Sequence, residues 1–171
     1  MIYMMDLWNK ITNNFLRFFP AAFLISLALT LLYRKILRKD RWVPFFFFCI
    51  YLVLLIGETV WGRLGQNIVT KDFIGIGSLF EDPWYMAAAV ENVIMFLPFG
   101  FLSVSAFPAE KAWKRHLAGA AFMSGCIELA QYALHIGEAQ VVDISANVLG
   151  AVLGILLQNI FTMMAKKPAR F

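Results

Sequence analysis

Eight polar or ionisable side chains lie inside or at the ends of long apolar segments: Glu58, Glu91, Asn92, Glu128, Gln131, His135, Asp143 and Asn147. A charge at the centre of a bilayer costs about 2.5–3.5 kcal/mol even on the lenient insertion scale, so such residues mark functional sites by default. Glu128, His135 and Asp143 are the candidates for general acid, general base or proton carrier. The carboxylates and amides could instead hydrogen-bond a polar headgroup, or join helix to helix. Arg63, just past an apolar segment, could grip a phosphate or carboxylate, or anchor a helix end. Nothing points to a metal or another cofactor. There is no Cys/His array, no Gly-rich phosphate loop and no nucleophile elbow. Cys49 and Cys126 fall at different depths, so they are expected to be small buried apolar residues and not a disulfide.

The elements that must position these groups are membrane spans. The chain has 171 residues, of which 61% are hydrophobic, and its mean hydropathy is +0.70. A soluble domain holds about 45–50% apolar residues, so the expected class is an all-α, polytopic transmembrane bundle. A helix needs about 20 largely apolar residues to cross a bilayer. Five segments qualify: Phe15–Tyr33, Val43–Trp61, Trp84–Phe107, Leu117–His135 and Ile144–Met164. Residues 1–42 read as a first span with a basic loop, 43–164 as a four-span core, and 165–171 as a basic tail.

Charge sets the orientation. Eleven of the fifteen Lys and Arg fall in the connector at 34–41, the connector at 111–115 and the tail. By the positive-inside rule these are cytoplasmic, with the N-terminus outside and the C-terminus inside. The net charge of +4 therefore reports topology and not a nucleic-acid partner. The loop from Gly62 to Pro83 is then outside, and its residues 73–80 are expected to lie on the interface or re-enter shallowly.

With a rise of about 1.5 Å per residue, all eight polar residues fall in the outer half of the bilayer or at its outer edge. Ser124, Glu128, Gln131 and His135 are spaced four, three and four apart, which places them on one stripe of the fourth span. Asp143, Asn147, Gly150 and Gly154 do the same on the fifth, where Asp143 is positioned to cap the helix and the two glycines permit close approach of a neighbour. Glu91 and Asn92 diverge by about 100°, so one of them at most should face the cavity centre. Pro98 is expected to kink the third span. The picture is a polar outer-leaflet cavity walled by spans two to five.

Three stretches carry a family resemblance. Asn92-Val-Ile-Met-Phe-Leu-Pro98-Phe-Gly100, Ile127-Glu128-Leu-Ala-Gln131 and Asp143-Ile-Ser-Ala-Asn147-Val-Leu-Gly150 resemble, in order and spacing, the signatures of the VanZ family of bacterial membrane proteins. The resemblance spans roughly residues 43–160 and takes in Arg63. Many members carry an acid and an arginine where this chain has Gln140 and Gly137. The resemblance implies a multi-pass protein of the plasma membrane at a Gram-positive cell surface. The family's namesake is associated with low-level resistance to teicoplanin, a lipoglycopeptide, without remodelling of the peptidoglycan precursor.

The expected function is a non-enzymatic membrane protein that binds a lipid-linked or lipidated envelope molecule at Arg63, Glu58, Glu91, Asn92, Glu128, Gln131, His135, Asp143 and Asn147. The expected partners are membrane lipids, together with a lipid-linked cell-wall precursor, a lipoteichoic-type polymer or a lipoglycopeptide. Such a bundle could work alone or as a homodimer. The alternatives are an intramembrane enzyme using Glu128 and His135 as acid and base, and a small proton-coupled transporter or flippase.

Overall fold

Each apolar stretch becomes a long helix. The computed structural model describes residues 2–37, 41–70, 72–81, 83–108 and 112–165. In chain order the helices are α1 (Ile2–Leu37), α2 (Trp42–Thr59), α3 (Ile76–Glu81), α4 (Pro83–Ala106), α5 (Trp113–Leu134) and α6 (Val141–Ala165), with a 3-10 turn at Trp61–Arg63. Five of them, all but α3, are long and apolar enough to cross a membrane, and the described residues contain no strand. The tail and the basic residues Arg38, Lys39, Lys71 and Lys111 lie outside the described residues.

The start of α1 differs most from expectation, for a physical reason. α1 begins at Ile2 and not at Phe15. Hydropathy marks only the part that could enter lipid, whereas residues 2–14 hold no Gly or Pro to stop a helix. α4 runs unbroken through Pro98.

The tightest seam is between α4 and α6. A Cβ at Gly150 would overlap the carbonyl oxygen of Val93, one at Gly154 that of Leu97, and one at Gly100 that of Ala151. Three missing side chains therefore let the two backbones touch, which is how helices gain dispersion energy where lipid supplies no hydrophobic drive. α1 packs on α2, where Phe18 fills the space above Gly57.

Toward the end that carries Arg34, Arg41, Lys114 and Arg115, hereafter the basic end, the bundle is filled by rings. Phe96 stacks on Phe99 at 5.6 Å, Phe48 meets Phe99 edge-on at 5.5 Å, and Phe107 meets Phe48 at 5.7 Å. Tyr33 extends the cluster to α1 by stacking on Phe45 at 4.1 Å. Edge-to-face and offset pairs of this kind add about 0.5–1.5 kcal/mol each beyond area burial. Cys49 is buried among α2's packing residues, but Cys126 is exposed on the bundle surface. The expectation that both are buried fails for Cys126 because it lies beside the inward stripe of α5 and not on it.

At the opposite end, the loop end, the chain folds back over the bundle. The first N–H groups of a helix have no partner within it. Here the carbonyls of Phe73 and Ile74 accept from Val141 and Val142, at 2.9 and 3.2 Å. Ile68 donates to the His135 carbonyl at 2.8 Å, and Ala139 to the Thr70 hydroxyl at 3.0 Å. Ile68, Thr70, Phe73 and Ile74 thus clasp the α5–α6 connection. α3 follows and packs on α4, with Ile76 and Phe80 turned outward.

Candidate functional site

The buried face of α5 carries Ser124, Ile127, Glu128 and Gln131. Its outward face presents Phe122 and Leu129, so helical periodicity alone turns the polar groups inward. Glu128, 7% exposed, accepts the backbone N–H of Gln140 through Oε2 at 3.1 Å. Gln131 donates through Nε2 to the Thr59 carbonyl at 3.1 Å. That oxygen belongs to the last residue of α2, where carbonyls lack helical partners.

α6 answers with Asp143 and Asn147, one turn apart. Asp143 accepts from the Asn92 amide of α4 at 2.8 Å. It does not cap α6 as expected. It is the third residue of the helix, and the terminal N–H groups of Val141 and Val142 are taken by the loop carbonyls. Asn147 donates to the Ser124 hydroxyl at 2.8 Å, while its Oδ1 has no hydrogen-bond partner although the residue is only 3% exposed.

These groups enclose a cavity of about 60 Å³, floored by Phe96 and Ile127. That is room for a few waters or one small polar group, far less than a whole lipid or glycopeptide would need. Arg63 closes one side from the 3-10 turn after α2, and its charge acts on both Glu128 and Asp143. Glu91 and Asn92 both border the space. Their angular divergence does not separate them, because the wall is wide enough to take two adjacent positions of α4.

Seven of the nine sequence candidates therefore meet at one cavity: Arg63, Glu91, Asn92, Glu128, Gln131, Asp143 and Asn147. Two do not border it. His135 is exposed, at the left-handed residue that ends α5, with φ 55°. The i+4 extrapolation from Gln131 fails because the helix stops one residue earlier. Glu58 is half-buried, and its neighbour Thr59, one helical step away, borders the cavity instead.

Sequence reasoning missed the supports at the loop end. Glu138 accepts from the Tyr85 hydroxyl at 3.1 Å and from the Gln140 amide at 3.2 Å. Gln140 is 5% exposed and holds Glu128 with its backbone. A Cβ at Gly137 would stand 3.1 Å from the Gln131 side chain and 3.3 Å from Nη1 of Arg63. The two positions at which this chain departs from the resembled family thus both adjoin the site, which is the signal that could have brought them forward. Among the described residues, no three His, Cys, Asp or Glu side chains group as a metal site would require.

No curated protein and no solved structure matches the chain. A family model does: VanZ/LLP1 matches residues 45–162. That segment runs from the first turns of α2 to the end of α6, holds every cavity residue named above, and leaves α1 outside it. With five helices able to span a bilayer and more than half of its length matched, the chain is a multi-pass membrane protein belonging to the VanZ/LLP1 family.

Proposed function

We propose that the cavity binds the polar head of a lipid-linked or lipidated envelope molecule, in the outer leaflet of a bacterial plasma membrane, and that this binding lowers lipoglycopeptide action at the cell surface. The single observation that carries the reading is the unpartnered Oδ1 of buried Asn147 at the wall of a cavity that also presents Arg63, Glu128 and Asp143. A buried polar atom without a partner costs about 1–3 kcal/mol, and a donor group on a ligand removes that cost. Arg63 supplies a cation for a phosphate or carboxylate. The small volume argues for a headgroup fragment, with the rest of the ligand outside. The basic residues of the connectors support an outer position for the cavity under the positive-inside rule.

The test is fluorescent teicoplanin binding to a Gram-positive host expressing the wild type, Glu128→Gln or Arg63→Ala at matched membrane abundance. Lower binding with the wild type, relieved by both substitutions, is expected. Unchanged protection in both variants sinks the site.

A second reading is an intramembrane hydrolase or transferase acting on an envelope lipid. It is favoured by two carboxylates, Glu128 and Asp143, facing one small space beside a cation. His135, the other expected acid–base residue, is exposed and does not border that space. Turnover of a lipid substrate by purified protein, stopped by Glu128→Gln, would establish it.

A further inference from the structure

α1 lies outside the family segment, and at the basic end it forms a second concave feature with α2. An apolar groove of about 250 Å³ runs between them, lined by Phe23, Leu27, Leu31 and Phe46, with Thr30, Arg34 and Trp42 toward its basic end. Two details distinguish it from ordinary lipid-facing surface. Thr30 is 3% exposed, yet its hydroxyl has no hydrogen-bond partner. One turn further on, the Arg34 guanidinium sits 5.2 Å from the centroid of the Trp42 ring, a contact made through charge that uses none of its N–H donors. Lys35 and Arg41 stand exposed nearby.

We propose that this groove binds one anionic glycerophospholipid: phosphate on Arg34 beside Trp42, an ester carbonyl on the Thr30 hydroxyl, and an acyl chain along Phe23, Leu27 and Phe46. The order along α1 is that of the lipid. Arg34 stands at the level where the helix leaves the apolar zone, Thr30 lies about 6 Å deeper by helical rise, and the apolar wall continues beyond. The occupant is a lipid and not a free phosphate because most of the groove wall is hydrocarbon, from Phe23, Leu27, Leu31 and Phe46. It is anionic because the charged groups at its rim, among the described residues, are the basic Arg34, Lys35 and Arg41. The site is separate from the polar cavity, at the other end of the bundle, and stands or falls independently of it.

The experiment is native mass spectrometry of the full chain released from micelles with added phosphatidylglycerol or phosphatidylcholine, and with glycerol phosphate as the chain-free probe. One retained phosphatidylglycerol per protein, in preference to phosphatidylcholine, is expected, with no retention of glycerol phosphate. Arg34→Gln should reduce the preference about fivefold, the equivalent of about 1 kcal/mol per basic residue at a membrane surface. Thr30→Val should weaken retention of both lipids and leave the preference intact. Equal retention of the two lipids by the wild type, or a preference that survives Arg34→Gln, overturns the proposal, as does retention of glycerol phosphate alone. Arg34 is exposed, so its variant should fold, and a matched melting temperature checks that it does.

Discussion

The Asn92 amide donates to the Asp143 carboxylate at 2.8 Å, joining α4 to α6 at the cavity wall. The bond ties two residues 51 positions apart and fixes the height of one helix against the other. A double-mutant cycle with Asn92→Ala and Asp143→Ala, read by thermal unfolding in detergent, should return a coupling of about 1 kcal/mol. That is above the usual intramembrane hydrogen bond, because one partner is a carboxylate. A coupling near zero would mean that the pair does not register the helices.

The glycine seam predicts a contrast within one residue type. Gly150→Ala and Gly154→Ala must push α4 and α6 apart, since the added carbon meets backbone and not a flexible side chain. Each should destabilise by about 1–3 kcal/mol or more. Gly119→Ala, on α5 with nothing within 4 Å of its Cβ, should be neutral or slightly stabilising. Melting temperatures of the three variants decide the matter.

His135 provides a test that separates catalysis from architecture. A non-glycine residue in the left-handed region carries strain of about 1–2 kcal/mol. His135→Gly should therefore leave stability unchanged or raise it, and should leave teicoplanin binding to cells as in the wild type. Loss of protection by a well-folded His135→Gly would return the imidazole to the functional site.

Gln140→Glu would install an acid at the position where the family resemblance led one to be expected. In this chain the Gln140 amide donates to Glu138 at 3.2 Å, so the substitution sets carboxylate against carboxylate near Glu128 and Asp143. A loss of about 1–3 kcal/mol is expected from the missing bond and the added repulsion. Glu138→Gln in the same chain should recover part of it.

The two cysteines should tolerate change differently. Cys126 faces outward from a membrane span and Cys49 is buried, so Cys126→Ala should leave the melting temperature in detergent unchanged, whereas Cys49→Ser, which sets a hydroxyl into the packing, should cost about 1–3 kcal/mol. Equal melting temperatures would mean that Cys49 contributes nothing to the packing of α2.

The spans were legible because bilayer thickness imposes a length and hydropathy that any 20-residue window detects. The inward stripe Ser124–Glu128–Gln131 and the glycine pair of α6 were legible because 3.6 periodicity converts spacing into facing. Where a helix stops, that conversion stops, and His135 was misplaced for this reason. The clasp made by Ile68, Thr70, Phe73 and Ile74 and the Tyr85–Glu138 contact rest on backbone groups and on partners more than 50 positions apart, for which spacing offers no rule. Asp143 shows the remaining difficulty. Its position near a helix start suits a cap, but the loop carbonyls reach the free N–H groups first and leave the carboxylate to Asn92.

The ring cluster beneath the cavity has a consequence for traffic. Phe96 is at once the floor of the cavity and the first member of a stack that continues through Phe99 and Phe48 to Phe107. A pocket floored in this way is a cul-de-sac among the described residues: what enters by its mouth meets a wall of rings and not a passage to the basic end.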